Sequence, residues 1–319
     1  MNQMNQKTGR ARQLTGFTIL ALLAAVLLFN AFFTFSYSRD ANYRNVSIDT
    51  RVNVTHARPE VLTVTCDKPI TLVAGTYRTV TCNATIRVWS GPSEIANVKG
   101  IFWDANNASL NSSDLHTNHY TNATCYQNFT YATYYANYTC NFSVYYNADN
   151  GTNWTANLTA TSSYPFNGTV TNWSSNSNTT IINQLLALNV TSLIDYGNLA
   201  VGDTSAAQQA NVTNFGNINI NVSVRGYGNT SNDSLAFVCQ FNNISIANEK
   251  YSLNATADFA TQYVALSSNF TIVNSLMLPQ QQNDSQQVIN NTYWRLYVPP
   301  NPFGQCNGTV VFQAEYAGP

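Results

Sequence analysis

Beyond residue 40 the sequence alternates polar and apolar residues with a period of two, and no stretch sustains a period of 3.6. The pattern is plain in VLTVTC (61–66), RTVTCNATIRV (78–88) and NINVSV (219–224). A period of two sends successive side chains to opposite faces of a strand, one face to a core and the other to water. Gly, Asn, Asp and Pro recur between these runs at short intervals, which favours stacked antiparallel sheets over alternating strand and helix units. The chain is therefore expected to be all-β, with two tandem β-sandwich domains. A polar spacer covers 41–57, the first sandwich 58–183 and the second 184–319. The seam falls in the polar stretch NWSSNSNTTIIN (172–183), whose composition is that of a linker.

The N-terminus reads differently. Lys7, Arg10 and Arg12 precede an uncharged run from Gly16 to Tyr37, closed by Arg39. A run of this length spans a hydrocarbon core of ~30 Å as a helix. Cations before the run and a large domain after it place the N-terminus in the cytoplasm and the rest outside. Residues 1–40 are thus expected to be a short tail and a single transmembrane anchor, with the membrane contacted through 16–37. A cleaved signal peptide is the rival reading, although its apolar region is usually shorter and no clean A-x-A site follows.

Cysteine usage fits an outer location. All six cysteines, Cys66, Cys82, Cys125, Cys140, Cys239 and Cys306, follow the apolar run. An even number outside the membrane implies three disulfides. Cys66 and Cys82 flank Ala74-Gly75 almost symmetrically, and Cys125 and Cys140 flank Ala132-Thr133, so two hairpins would pair them. Cys239 then falls to Cys306. No C-x-x-C spacing suggests zinc.

Charged residues are only 9% of the chain, and the net charge is −1. No basic cluster follows residue 12, so nothing points to nucleic acid. Polarity comes from asparagine and hydroxyl residues. The chain holds 45 asparagines, and 26 of them begin Asn-x-Ser/Thr. Random placement would give roughly nine such sequons. Between Asn122 and Thr159 alone they start at Asn122, Asn128, Asn137, Asn141, Asn150, Asn153 and Asn157. A strand can produce polar-apolar-polar triplets without any sugar, and the middle residues Phe129, Tyr138, Phe142, Trp154, Leu158, Val190, Val212, Val222, Ile244 and Phe270 fit that reading. Asparagine is nevertheless a poor strand former, and Thr, Lys or Glu would serve a wet face better. Covalent N-glycans account for the choice, since they solvate a surface without charge and shield sheet edges. The expected carriers are Asn83, Asn122, Asn128, Asn137, Asn141, Asn153, Asn157, Asn189, Asn211, Asn221, Asn243, Asn269 and Asn307.

Signs of chemistry are sparse. The chain lacks G-x-S-x-G, H-E-x-x-H, a P-loop and G-x-G-x-x-G. His116 and His119 with Asp114 form the one histidine cluster, expected to be a polar loop with solvated imidazoles; His56 stands alone. Asp104-Ala105-Asn106-Asn107 and Asp149-Asn150-Gly151 offer oxygen ligands, but turns use the same residues. Tyr131, Tyr134, Tyr135, Tyr138, Tyr145 and Tyr146 crowd one region, where strand cores and binding surfaces compete as explanations. No cofactor, metal or catalytic residue is expected, and the chain reads as a non-enzyme.

Five segments carry a resemblance: HYTNATC, CNFSVYYNADNGTNWTANLT, LLALNVTSLIDYGNLAVGDTS, NFGNININVSVRGYG and TYWRLYVPPNPFGQCNGTVVFQAEY. Over roughly 58–319 the chain resembles modular, Ig-like, N-terminally anchored surface proteins of small-genome archaea. The stretch Tyr196 to Thr204 also resembles β-sandwich modules of prokaryotic envelope proteins. The resemblance implies tandem Ig-like sandwiches on the outer face of a cell membrane, and it supports structural pairing of Cys125 with Cys140 and of Cys239 with Cys306. Archaeal pilins and archaellins also join an apolar helix to a glycosylated sandwich. Their processing site needs a basic residue and a glycine directly before the helix, whereas Gly16 here follows Leu14-Thr15. The expected role is a structural envelope component. The alternatives are an adhesin, a pilin-like filament subunit and an envelope enzyme, with self-association or surface proteins as partners.

Overall fold

The computed structural model describes residues 47–164 and 172–318. The expected transmembrane segment lies outside these residues; among the described ones no helix is long and apolar enough to cross a membrane. They contain strands and two single-turn 3₁₀ helices, Pro92–Glu94 and Ile246–Asn248, and no α-helix. Thr55–Pro319 forms one compact unit.

The first half is a two-layer sandwich. Its strands are β1 (Glu60–Cys66), β2 (Tyr77–Arg87), β3 (Ile95–Asp104), β4 (His119–Asn122), β5 (Tyr126–Ala132), β6 (Tyr135–Tyr145), β7 (Gly151–Ser162) and β8 (Trp173–Ile182). One sheet has the order β1-β2-β6-β5 and the other β4-β3-β7-β8. The alternating burial of β6 and β7 is the period of two made visible. Phe102, Phe142, Trp154 and Leu158 fill the space between the layers, with Phe102 and Trp154 rings 4.7 Å apart. The Trp154 indole N–H, which would be costly to bury unpaired, donates to the Asp149 carbonyl at 2.7 Å.

Two expectations change here. The stretch expected to be linker-like is strand β8, paired with β7 from Trp173 onward. Its polarity has another purpose. β8 lies beside edge strand β1 and closes that side of the sandwich through side chains. Asn176 Nδ2 donates to the Leu62 carbonyl at 2.9 Å, Asn178 Nδ2 to Val64 at 2.5 Å and Thr180 Oγ1 to Asp67 at 2.5 Å, while Ser174 Oγ accepts from the Val61 amide at 2.9 Å. An edge left open would invite pairing with other chains. The spacer is also shorter than expected. Residues 55–57 fold with the sandwich: the His56 ring stacks on Tyr164 at 3.8 Å, and the Ala57 amide donates to Ser90 Oγ at 3.1 Å.

The cysteines pair as their spacing suggested: Cys66–Cys82, Cys125–Cys140 and Cys239–Cys306. Register pairs Cys66 with Cys82 and Cys82 with Cys140, so the first two disulfides lie in one row across the sheet. The opposing layer makes room for them with a glycine. A Cβ on Gly100 would sit 2.9 Å from Cys140 Sγ and 2.8 Å from the Phe142 ring. Replacing Gly100 by alanine overpacks this point and is expected to lower stability by about 2 kcal/mol. Urea denaturation of the variant checks this, and an unchanged midpoint would contradict it.

The second half contains β9 (Leu188–Val190), β10 (Gln208–Asn214), β11 (Ile220–Tyr227), β12 (Leu235–Phe241), β13 (Asn243–Ser245), β14 (Glu249–Ser252), β15 (Val264–Ala265), β16 (Thr271–Leu278), β17 (Ile289–Leu296), β18 (Phe303–Asn307) and β19 (Thr309–Tyr316). They form sheets of order β15-β14-β17-β10-β9, β16-β11-β19 and β13-β12-β18. Trp294, Tyr251, Val222, Val224 and Leu278 centre the larger core. The third disulfide joins register partners in β12 and β18.

Candidate functional site

Strand direction decides where each asparagine points. Among the described residues, 24 asparagines begin a sequon; 19 are exposed, five are half-buried (Asn122, Asn137, Asn157, Asn172 and Asn221), and none is buried. The three buried asparagines, Asn147, Asn214 and Asn217, all lie outside the pattern. The middle residues Tyr138, Phe142, Trp154, Leu158, Val212, Val222 and Ile244 are buried as the alternation required, and Val190 is half-buried. Phe129 and Phe270 are exposed instead. Phe129 follows a bulge in β5, and Phe270 lies just ahead of β16, so strand alternation fails at both.

The outer face of β2, β6 and β5 is built from carboxamides and hydroxyls. Register sets Thr81 opposite Asn141, Asn83 opposite Thr139 and Thr85 opposite Asn137. Thr81 Oγ1 donates to Asn141 Oδ1 at 3.1 Å, and Thr85 Oγ1 to Asn137 Oδ1 at 3.0 Å. Thr139 Oγ1 donates to Asn83 Oδ1 at 2.5 Å and accepts from Asn128 Nδ2 at 2.5 Å. In three of these sequons the bond uses the amide oxygen, and the nitrogen that a sugar would occupy stays available. Asn178 differs, because its nitrogen holds Val64 and seals the sandwich.

A second constellation lies where the two halves meet, in residues far apart in sequence. Asn217 Nδ2 donates to the carbonyls of Ala148 at 2.9 Å and Asn183 at 3.1 Å, and its Oδ1 accepts from the Leu185 amide at 2.6 Å. Gln280 Nε2 donates to the Asn147 carbonyl and to Asp149 Oδ1, each at 2.8 Å. The Tyr146 hydroxyl donates to Gln281 Oε1. Carboxamides bonded across the junction, with Asn217 and Gln281 buried, favour one arrangement of the two halves. No short-range pattern marked them.

His119 is 1% exposed, with Nδ1 2.8 Å from Asp114 Oδ1. His116 turns away, stacks on Tyr145 at 3.6 Å and places Nδ1 3.5 Å from Asp284 Oδ1. The His119 imidazole is therefore packed, not solvated, His116 stays partly exposed at the wall of a cleft, and the three residues do not converge. Among the described residues no group of three or more His, Cys, Asp or Glu gathers as metal ligands do. The two Asx turns are brought together: Asn107 Nδ2 donates to Asp104 Oδ2 at 2.8 Å and to Asp149 Oδ2 at 2.9 Å. They edge a polar cleft of about 480 Å³ lined by Asn107, Asn118, Asp149, Asn150 and Gln282. Burial raises the Asp149 carboxyl above its usual range, against the hydrogen bonds from Gln280 and Asn107. A neighbouring cleft of about 450 Å³ includes His116, Tyr145, Tyr146, Asn147 and Asp284.

The tyrosines divide. Tyr138 and Tyr146 are buried, Tyr135 and Tyr145 half-buried, and Tyr134 exposed; the Tyr131 side chain lies outside the described set. Tyr134 leans on exposed Trp89 at 5.4 Å, with the Arg87 guanidinium 4.7 Å over the Trp89 ring. Near them Glu94 accepts from Ser90 and contacts His56 Nδ1 at 2.6 Å. The acid sits between hydroxyl and imidazole, which is not the order in which a base activates a serine.

No protein-family model and no curated protein matches the chain. Among solved structures, a chaperone–tip adhesin complex of CFA/I fimbriae is 8% identical over 82% of this chain and 84% of its own, with a TM-score of 0.31. A CsuC–CsuE chaperone–tip adhesion subunit complex of Acinetobacter baumannii is 11% identical over 79% of this chain and 100% of its own, with a TM-score of 0.36. Salmonella alpha-2-macroglobulin is 14% identical over 84% of this chain and 15% of its own, with a TM-score of 0.22. At these scores the likenesses carry no argument about this chain.

Proposed function

We propose that this protein is a membrane-anchored, heavily N-glycosylated cell-surface protein that acts as a structural component of an envelope. One observation carries the reading: every described sequon asparagine reaches the surface, and every buried asparagine lies outside the pattern. None of the 24 described sequon asparagines is buried, against three of the other 15 described asparagines. On this reading the apolar run 16–37 holds the chain in the membrane, Ig-like sandwiches project outward, and the three disulfides and the bonded junction keep them rigid. Sugars keep a nearly uncharged surface soluble and guard its strand edges. The work is mechanical and steric, and no residue is assigned a catalytic role.

Exposed Trp89 and Tyr134 beside Arg87 favour a second reading, an adhesin, because aromatic rings and arginine are enriched where proteins bind. Electron tomography of cells carrying labelled ectodomain separates the two. Label in a regular array is the expected result. Label gathered where cells touch would replace the coat reading with the adhesin one. Glycopeptide mapping tests the shared premise, which bare asparagine at nearly every sequon would overturn.

A further inference from the structure

Some sequons follow an aromatic residue by two positions, and the rings differ in fate. Tyr120, ahead of Asn122, is buried in the core. Tyr135, ahead of Asn137, is half-buried and hydrogen-bonded to Arg87. Tyr126, ahead of Asn128, and Phe241, ahead of Asn243, are 53% and 54% exposed. A half-wet aromatic ring leaves on the order of 100 Å² of apolar surface uncovered. At both places the next feature along the chain is an exposed sequon asparagine.

The geometry at Asn128 is the more complete. Tyr126 is the register partner of Thr139, and Asn128 Nδ2 donates to Thr139 Oγ1 at 2.5 Å, so ring and amide flank the same residue on the outer face. A bulge between Gln127 and Phe129 then sets Phe129, also 54% exposed, opposite Asn137 on that face. Asn128 thus lies in the bulge between two residues, Tyr126 and Phe129, whose register partners are both on the outer face. N-glycosylation replaces one of its two protons with sugar C1; the proton leaves to a base and the phosphate of an activated sugar donor is the leaving group. The second N–H remains as a donor on the amide. A pyranose presents one face of C–H groups and a rim of hydroxyls. Laid on an aromatic ring it covers apolar surface while its hydroxyls stay in water.

From this we infer that Tyr126 and Phe129 form a cradle for the first sugar on Asn128, so that the glycan is part of the folded surface rather than a free tether. The inference rests on the glycoprotein reading. An exposed ring two residues ahead of an exposed sequon asparagine also occurs at Asn243, where the amide oxygen and not the nitrogen is engaged. Its Oδ1 is held by the Cys239 amide at 3.3 Å, and the Phe241 ring stacks on Phe303 at 4.2 Å, with Phe303 57% exposed.

The test uses the full chain, made in a host that N-glycosylates and in one that does not, as wild type, Tyr126→Ala and Tyr126→Phe. Glycopeptide mass first reports occupancy at Asn128. With sugar present, Tyr126→Ala is expected to lower the folded-to-unfolded ratio about fivefold more than it does in the bare protein, the size of one aromatic contact. Tyr126→Phe, which keeps the ring, should show no such difference. Sugar C–H protons at this site should move upfield in the NMR spectrum of wild type and return in Tyr126→Ala. An occupied site with equal losses and unshifted protons overturns the cradle and leaves the glycoprotein reading standing. A bare Asn128 in native material removes both at this position.

Discussion

Replacing Glu249 by glutamine is expected to stabilise the protein at pH 8 by about 3 kcal/mol and to change little at pH 4. Glu249 is 3% exposed in strand β14, opposite Leu296. Burial away from water disfavours its charged form and pushes its carboxyl from 4.5 up to about 7, although the hydrogen bond from the Tyr196 hydroxyl at 2.7 Å works the other way. The folded protein therefore holds this proton through a range where the unfolded chain has already released it. Stability from this group is complete below the unfolded value near 4.5 and is lost as pH rises through about 7. Glutamine has the same shape, still accepts from Tyr196 and does not titrate. Urea midpoints of the two proteins should coincide at pH 4 and diverge steadily to pH 8. Parallel curves across this range would show that Glu249 does not titrate differently on folding.

Removing the third disulfide is expected to have the larger effect. Cys239 and Cys306 are 67 residues apart, against 16 and 15 for the other pairs. A cross-link stabilises mainly by restricting the unfolded chain, and a loop of this length corresponds to about 4 kcal/mol against about 3 kcal/mol for the shorter two. The Cys239→Ser/Cys306→Ser variant should thus lose about 4 kcal/mol, more than removal of either shorter link. Hydrogen exchange should place the loss first in β12, β13 and β18, the sheet this link ties together. A loss below 1 kcal/mol, with exchange unchanged in that sheet, would mean that packing alone holds it.

Local chemistry explains why part of this was legible in the chain. Strand pattern, turn position and cysteine spacing are short-range properties. They placed β1 against β2 around Gly75 and β5 against β6 around Thr133, and with them two of the three disulfides. They also set the inward aromatics Tyr138, Phe142 and Trp154 against outward asparagines. Where a bulge interrupts the alternation, as at Phe129, the same reasoning failed. It failed again at β8, where an Asn- and Ser-rich strand has a linker's composition because its side chains bind a neighbouring backbone 113 to 115 residues away.

The amino-acid order by itself determined the all-β character of the described residues, the two hairpin disulfides and the outward set of sequon asparagines, because each follows from contacts between near neighbours or from the two-residue period of a strand. Only the tertiary structure decided that Gly100 must leave room for a disulfide row, that His119 is buried and His116 is not its partner, that Asn147, Gln280 and Gln281 lock the halves together, and that Thr139 gathers Asn83 and Asn128 around one hydroxyl. These depend on which distant strands lie side by side. That is settled by the shape of the packed core, and no single segment carries it.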